Sequence, residues 1–423
     1  MKFSRMIAAA LACSAPFSFS AGFMLNEQSV STLARGLAGR GVVGDNAADI
    51  AHNPATSALF SGQSMTVLAH YVDPNINVKG EHSVMVAPET YMPIGEGKVS
   101  NNDIAPSEIV PNFYYVLPIN DQFSFGLSLN SHFGMSTEYS SDFGAPEMAN
   151  KTGIKTVYVT PSFAWKVNDQ FSLGLGLSYI YGSGEIKNNM PDLGQLPSPI
   201  PAGQTLLDID GDGSAFGWSI GGLWNITDSQ RIGLSYRSAV DLDADADVTH
   251  VQLTQGKKGS GSITFNLPDT VDLAYFNQLN ETWAIAAGAQ WIKWSRFKDL
   301  TVDIDGFGEY TFKEENWEDS YRLSIGGDYR LNKLVNFHAG YAFDKSPVKS
   351  EYRTLTIPDA DRNWFTFGAT LDFETAGEID LAFAYIKGDK VKVNEKSAIG
   401  TNFDGELSKV DALVMSIGYN YNF

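Results

Sequence analysis

The chain has 423 residues, of which 49 are acidic and 30 basic, with a formal net charge of −19 and a single cysteine. So acidic a protein is a poor partner for nucleic acid, whose binding rests on basic surface, and one cysteine excludes a disulfide-stapled design. Phe, Tyr and Trp make up 12% of the chain and glycine contributes 40 residues. No apolar run approaches the roughly 20 residues of a membrane helix, so insertion in a bilayer has to use strands.

In chain order, Lys2 and Arg5, the apolar run Met6 to Cys13, and Ser18 and Ser20 around Phe19 read as a secretory signal peptide over 1–20, cut after Ser20. Lipid attachment at Cys13 is disfavoured by Ala10 and Leu11 and by the short apolar run before it. Without Lys2 and Arg5 the net charge becomes −21, and the only cysteine leaves with the leader. Residues 21–62 show no strand alternation, are rich in Gly, Ala and Asn, and are too short for a conventional domain.

From Ser64 to Phe423 about fourteen segments carry strand alternation bounded by turn residues, among them 123–137, 171–187, 282–297, 335–344, 363–373 and 378–387. Phe123, Phe125, Leu127 and Leu129 oppose Ser124, Gly126, Ser128 and Asn130. Ile379, Leu381, Phe383 and Tyr385 oppose Asp380, Ala382 and Ala384. The chain ends with Leu413, Met415, Ile417, Tyr419, Tyr421 and Phe423 on one face and Val414, Ser416, Gly418, Asn420 and Asn422 on the other, the pattern of lipid outside and water inside. Tight turns, such as Pro118 to Gln122 and Val167 to Gln170, alternate with long connections at 73–107, 187–213 and 243–262; the short ones are expected in the periplasm and the long ones outside the cell.

The fold class is therefore all-β, a 14-stranded antiparallel transmembrane β-barrel over 63–423. A lumen of that width exceeds what side chains alone fill, so 21–62 is expected inside it as an N-terminal plug, or hatch.

Three chemical signals lie along this frame. Gly217-Trp218-Ser219-Ile220-Gly221 matches a nucleophile elbow, but that chemistry needs a strand-to-helix turn and the motif sits in a glycine-rich strand. The histidines at 52, 70, 82, 132, 250 and 338 offer no ligand spacing and no partner for Ser219, so no enzyme and no cofactor are expected. Asp208, Asp210 and Asp212 with Gly213 match half of a calcium loop whose twelfth position is Ser219; they are weak metal candidates, better read as a solvated acidic turn. Asp241, Asp243, Asp245 and Asp247 share a strand face, where solvent or divalent ions bridging to lipopolysaccharide could meet them.

AGFMLNEQS (21–29) followed by HNPA (52–55) resembles the start of mature FadL-type long-chain fatty acid transport proteins. IAPSEIVPN (104–112), LPINDQF (117–123), DLGQL (192–196), FNLP (265–268), DSYR (319–322), FDKSPV (343–348) and IPDADRNW (357–364) extend the resemblance along the chain in order. It implies a hatch triplet Asn53, Pro54 and Ala55, and an inward kink of the third strand at His132, Phe133 and Gly134 that opens a side window toward the bilayer. It also implies a capture groove between the third and fourth long loops, where Met190, Leu193, Leu196, Ile200, Leu206 and Leu207 are unusually apolar; a loop packed on itself as a lid would use the same residues. The family's deep basic residues fall here on Asn188 and Glu318, neither of them basic. Lys187 and Arg322 are the candidate carboxylate partners, with Lys293 and Arg296 nearby.

Long-chain fatty acids are the cargo the resemblance implies, carried by a monomer in the outer membrane. Aromatic or aliphatic hydrocarbons are the alternative that the missing basic residues favour. A structural or adhesive barrel, or a phage receptor, is the alternative of another class.

Overall fold

The computed structural model describes residues 22–88, 90–194 and 196–423. The leader expected over 1–20, and Ala21, lie outside them. Fourteen antiparallel strands follow one another around a ring. They are β1 (Ser64–Ala87), β2 (Glu108–Pro118), β3 (Phe123–Asn130, then Gly134–Glu138), β4 (Lys151–Lys166), β5 (Phe171–Asn189), β6 (Thr205–Asn225) and β7 (Gln230–Arg237, then Val240–His250). The circuit continues through β8 (Lys258–Leu267, then Thr270–Gln278), β9 (Trp283–Ile292, then Asp299–Ile304), β10 (Gly308–Glu314, then Ser320–Arg330), β11 (Val335–Asp344), β12 (Arg362–Asp372), β13 (Glu378–Gly388) and β14 (Thr401–Asn422). β14 pairs with β1 from Asn422 opposite Ser64 to Thr401 opposite Val84, which closes the ring. Closure pairs the first and last strands, which in an open sheet would present free edges to hydrocarbon. Thr90–Asn101 and Val391–Lys396 add short arms at the long-loop end, on β1 and β14.

Outward side chains form an apolar band. Phe216 is 80% exposed and Leu177, Ile325 and Phe367 are at least 60%. Trp283 opposite Tyr329 and Trp291 opposite Tyr321 mark two aromatic rows, roughly 26 Å apart along the strand at about 3.3 Å per residue, a fitting height for an apolar band between interfacial girdles.

Toward the long-loop end the alternation changes sign. On β6, Phe216, Trp218 and Ile220 point out, whereas further along the same face come Asp208, Asp210 and Asp212; the buried face there carries Leu207 and Ile209. β7 repeats this, with Asp241, Asp243, Asp245 and Asp247 exposed and Val240, Leu242, Ala244, Ala246 and Val248 buried. Ile263 and Phe265 of β8 and Leu300, Val302 and Ile304 of β9 join the same buried cluster. The long-loop half of the barrel is thus polar outside and apolar within, the arrangement of a wall standing in water around a dry interior.

Two expectations are corrected by this geometry. The connections at 73–107, 187–213 and 243–262 are largely strand: β5 runs to Asn189, β6 starts at Thr205, β7 ends at His250 and β8 starts at Lys258. They read as loops because their polar residues face water beyond the band. Asp208, Asp210 and Asp212 lie in the extended ladder of β6, with Asp210 opposite Asp247 and Asp212 opposite Asp245, so they form no turn of a calcium loop.

Residues 22–62 contain a one-turn helix α1 (Val30–Ala34), capped by the Ser29 hydroxyl accepting from the Thr32 N–H, and two 3-10 turns, Ala47–Ala51 and Pro54–Leu59. The helix touches β11 to β14, while the second turn touches β2 to β6 on the far side of the ring.

Candidate transport site

The third strand breaks where the kink was expected. β3 pairs with β4 up to Asn130 opposite Tyr158 and resumes with Gly134 opposite Lys155, so Ser131, His132 and Phe133 face only two residues of β4. This is a β-bulge, which bends its strand away from the sheet. The Thr156 hydroxyl accepts from the Phe133 N–H at 3.2 Å and donates to the Phe133 carbonyl at 2.6 Å, while the Ser131 hydroxyl donates to the Thr156 carbonyl at 2.5 Å. Gly134 does not adopt positive φ, so side-chain hydrogen bonds, more than glycine's freedom, shape the kink. β2 pairs with β3 only over Phe113–Pro118, which leaves Glu108–Asn112 paired on its β1 side alone. Pro111 lies in this stretch, with no N–H to leave unmet.

The chain start takes up the strand pairing lost at the bulge. Met24 bridges Phe133, the Leu25 N–H donates to the His132 carbonyl at 2.8 Å and the Gly134 N–H to the Phe23 carbonyl at 2.9 Å. Phe23 then packs among Trp294, Phe297, Phe133 and Trp317 at centroid distances of 4.6, 5.4, 6.1 and 5.9 Å. These rings close the apolar interior, and the edge-to-face contacts of Phe23 with Trp294, Phe297 and Phe133 are each worth about 0.5–1.5 kcal/mol beyond burial. Four residues before Trp294 on β9, toward the short-turn end, a buried polar layer begins. Gln290 there accepts from Arg322 of β10 and from Arg40 of the N-terminal segment and donates to Asp272 of β8, and both arginines also donate to Asn26.

Asn53, Pro54 and Ala55 sit against β5 and β6. Asn53 caps its turn, with its Oδ1 accepting from the Ala55 N–H at 3.0 Å, and its amide donates to the Gly222 carbonyl at 3.2 Å. A β-carbon on Gly174 would overlap the Ala55 backbone, so that wall position is a notch cut for the triplet. Of the apolar loop candidates, Met190, Leu206 and Leu207 are buried and Leu193, Leu196 and Ile200 half-buried. Leu206 and Leu207 belong to β6, and Met190 is tied across the loop to the Gln204 carbonyl at 2.8 Å.

The two carboxylate candidates separate. Ile186 takes the inward face of β5, so Lys187 faces away from the lumen and pairs with Asp208 at 3.4 Å; Arg322 is only 1% exposed and lies inside. Arg296 likewise pairs outside, with Asp241 at 2.8 Å. Asn188 is buried, its amide donating to the Glu147 carbonyl at 3.2 Å, and Glu318 is exposed.

The sequence and the fold have counterparts among known proteins. The family model described as outer membrane protein transport protein (OMPP1/FadL/TodX) matches residues 11–423. The chain belongs to that family. It is 32% identical to the long-chain fatty acid transport protein of Escherichia coli O6:H1, over 99% of this chain and 98% of that one. The crystal structure of a Pseudomonas aeruginosa FadL homologue superposes with a TM-score of 0.84 at 25% identity, covering 95% of this chain and 100% of the other. The Pseudomonas putida toluene transporter TodX shares the fold, with a TM-score of 0.67 at 18% identity over 93% and 99% of the chains. As a member, the protein is an outer-membrane transport protein and not an enzyme.

Sequence reading missed Phe23, Arg40, Gln290, Trp294, Phe297 and Trp317. One signal was available for Trp294 and Phe297: the alternation of β9 fails between Ile292 and Asp299, where a 3-10 turn, Trp294–Arg296, turns both rings inward.

Asp49 gives the N-terminal segment a dependence on pH. Its carboxylate accepts from the Gly44 N–H at 2.6 Å, yet burial, reinforced by Asp45, pushes its pKa up from 3.8 to about 7. A carboxyl raised on folding contributes stability fully present below its unfolded value and lost as pH rises through the folded one. Hydrogen-exchange protection of amides 46–53, corrected for intrinsic rates, is therefore expected to fall between pH 5 and about 7 and to level above. Asp49→Asn should flatten that profile, and an unchanged profile would rule Asp49 out as its source.

Proposed function

We propose that the protein takes long-chain fatty acids from the medium at its long-loop end, passes them through the apolar half of the lumen, and releases them sideways at the bulge of β3. The observation that carries this reading is the inversion of the alternation, because a wall polar outside and apolar inside suits a cargo that must stay dry. At about 0.8 kcal/mol per CH₂, a sixteen-carbon tail costs on the order of 12 kcal/mol to return to water. The stretch Glu108–Asn112, paired on its β1 side alone beside the bulge, supports a sideways exit. Residues 21–62 act as the plug, with Asn53, Pro54 and Ala55 as its hatch and His132, Phe133 and Gly134 as the window. Met190, Leu193, Leu196, Ile200, Leu206 and Leu207 offer the cargo its first apolar contact. Arg322, in place of Lys187, receives the headgroup. A closed ring needs no partner subunit, so the protein works as a monomer, its aspartates on β6 and β7 facing the lipopolysaccharide layer.

Uptake of labelled hydrocarbons is the competing reading, favoured by Asn188 and Glu318 where family members carry bases. Cells whose only carrier of this class is this chain should take up labelled oleate saturably and labelled toluene poorly. Toluene uptake without oleate uptake would transfer the assignment to hydrocarbons, and failure of both would end the transport reading.

A further inference from the structure

We propose that Arg40 and Arg322 together form the seat of the cargo's carboxylate, which replaces the amide oxygens of Asn26 and Gln290 and thereby loosens the chain start from the bulge of β3. The inference rests on the fatty acid reading and deepens it.

Two guanidiniums, both more than nine-tenths buried, converge on neutral acceptors. Arg40 Nη1 donates to Asn26 Oδ1 at 3.3 Å and to Gln290 Oε1 at 3.1 Å. Arg322 Nη1 donates to the same two atoms, to Gln290 Oε1 at 2.8 Å. Each arginine is oriented from elsewhere: Arg322 Nη2 by Asp344 Oδ2 at 3.0 Å, Arg40 Nε by Asp272 Oδ1 at 3.7 Å, and Arg40 Nη2 by His52 Nδ1 at 3.2 Å. Asn26 and Gln290 thus set two oxygens side by side between two cations, in the place a bridging carboxylate would occupy. Two like charges sharing neutral oxygens are less well satisfied than the same pair around an anion, since an anion between them attracts both cations and offsets their mutual repulsion. Burial pulls Arg40 down to about 10 against the opposing field of Asp272, and the neighbouring Arg322 charge adds to the lowering.

Of the two oxygens, that of Asn26 is the easier to displace. Its own Nδ2 is buried and meets no acceptor among the described residues, so moving the side chain sacrifices little. Asn26 directly follows Met24 and Leu25, the residues paired to the bulge. An anion taking its place therefore bears on that pairing, and the Phe23 ring moves with it out of the aromatic floor. Headgroup binding then shifts the population toward the open path in proportion to its preference for that state.

The test compares oleate with oleyl alcohol, which has the same tail and no charge, binding to the purified full-length chain in detergent. The unaltered protein should prefer oleate by about tenfold or more, and Arg40→Gln should bring the two affinities together. Arg322→Gln paired with Asp344→Asn, which strands no buried carboxylate, should do the same. Asn26→Leu removes the competing oxygen and should tighten oleate several-fold while raising hydrogen exchange at 23–25. Retention of the full preference by folded Arg40→Gln protein would overturn the seat and leave fatty acid uptake standing, as would equal binding of both probes by the unaltered chain. Binding of neither would remove the fatty acid reading and this one with it.

Discussion

Deleting Ser131 is expected to abolish uptake while the barrel still folds. The deletion leaves two residues of β3 opposite two of β4 between the Asn130–Tyr158 and Gly134–Lys155 pairs, so the ladder runs on without a bulge. A straight β3 can then extend its pairing along β2 past Phe113 toward Glu108, which today lacks a partner on that side. The sideways path closes by completing the sheet, and the added ladder bonds keep the barrel at least as stable. Labelled oleate uptake, set beside the amount of heat-modifiable barrel in isolated outer membranes, checks it. Undiminished uptake by a normal quantity of folded protein would show that cargo leaves by another route.

Gly340→Val should expel the N-terminal segment from its seat. Gly340 and Gly326 lie opposite each other on β11 and β10, and a β-carbon on either would overlap the Arg35 backbone. The segment cannot ease away cheaply. Gly36 holds a left-handed φ of 68°, and Arg35 is tied to Asp45 at 2.8 Å and to Asp328 at 3.5 Å. Overpacking ordinarily costs about 1–3 kcal/mol, and backbone on both sides of this contact places the change at the upper end. The expected result is a folded barrel whose residues 22–62 are cut by added protease, in cells that admit small polar dyes. A protease-resistant segment in the variant would mean that the notch holds the chain less closely than this.

Several particulars of the fold were legible in the residues. β13 and β14 show why: period-2 alternation is imposed by lipid on one side and a packed interior on the other, and Ile379 to Tyr385 and Leu413 to Tyr419 carry it without interruption. The kink at His132 to Gly134 came through resemblance and not through composition, since nothing local marks Ser131 as a surplus residue until its partner strand is known. Pro111 was a usable sign of an unpaired side. Extended strands beyond the band were read as loops because there the polar residues are the outer ones, so the rule of lipid-facing alternation runs backwards. Lys187 misled for the same reason: its neighbours count as a pocket only until Ile186 is seen to own the inward face.

By itself, then, the order of residues determined an exported, helix-poor chain, a closed antiparallel ring and the face each barrel strand turns to lipid, because these follow from local periodicity and from the need to pair every backbone group in hydrocarbon. Only the tertiary structure decided what meets inside. Phe23 with Trp294, Asn26 with Arg322, and Arg40 with Gln290 lie hundreds of positions apart. Their encounters depend on how the chain start threads the ring and on the register of β8 to β11, which no local pattern records.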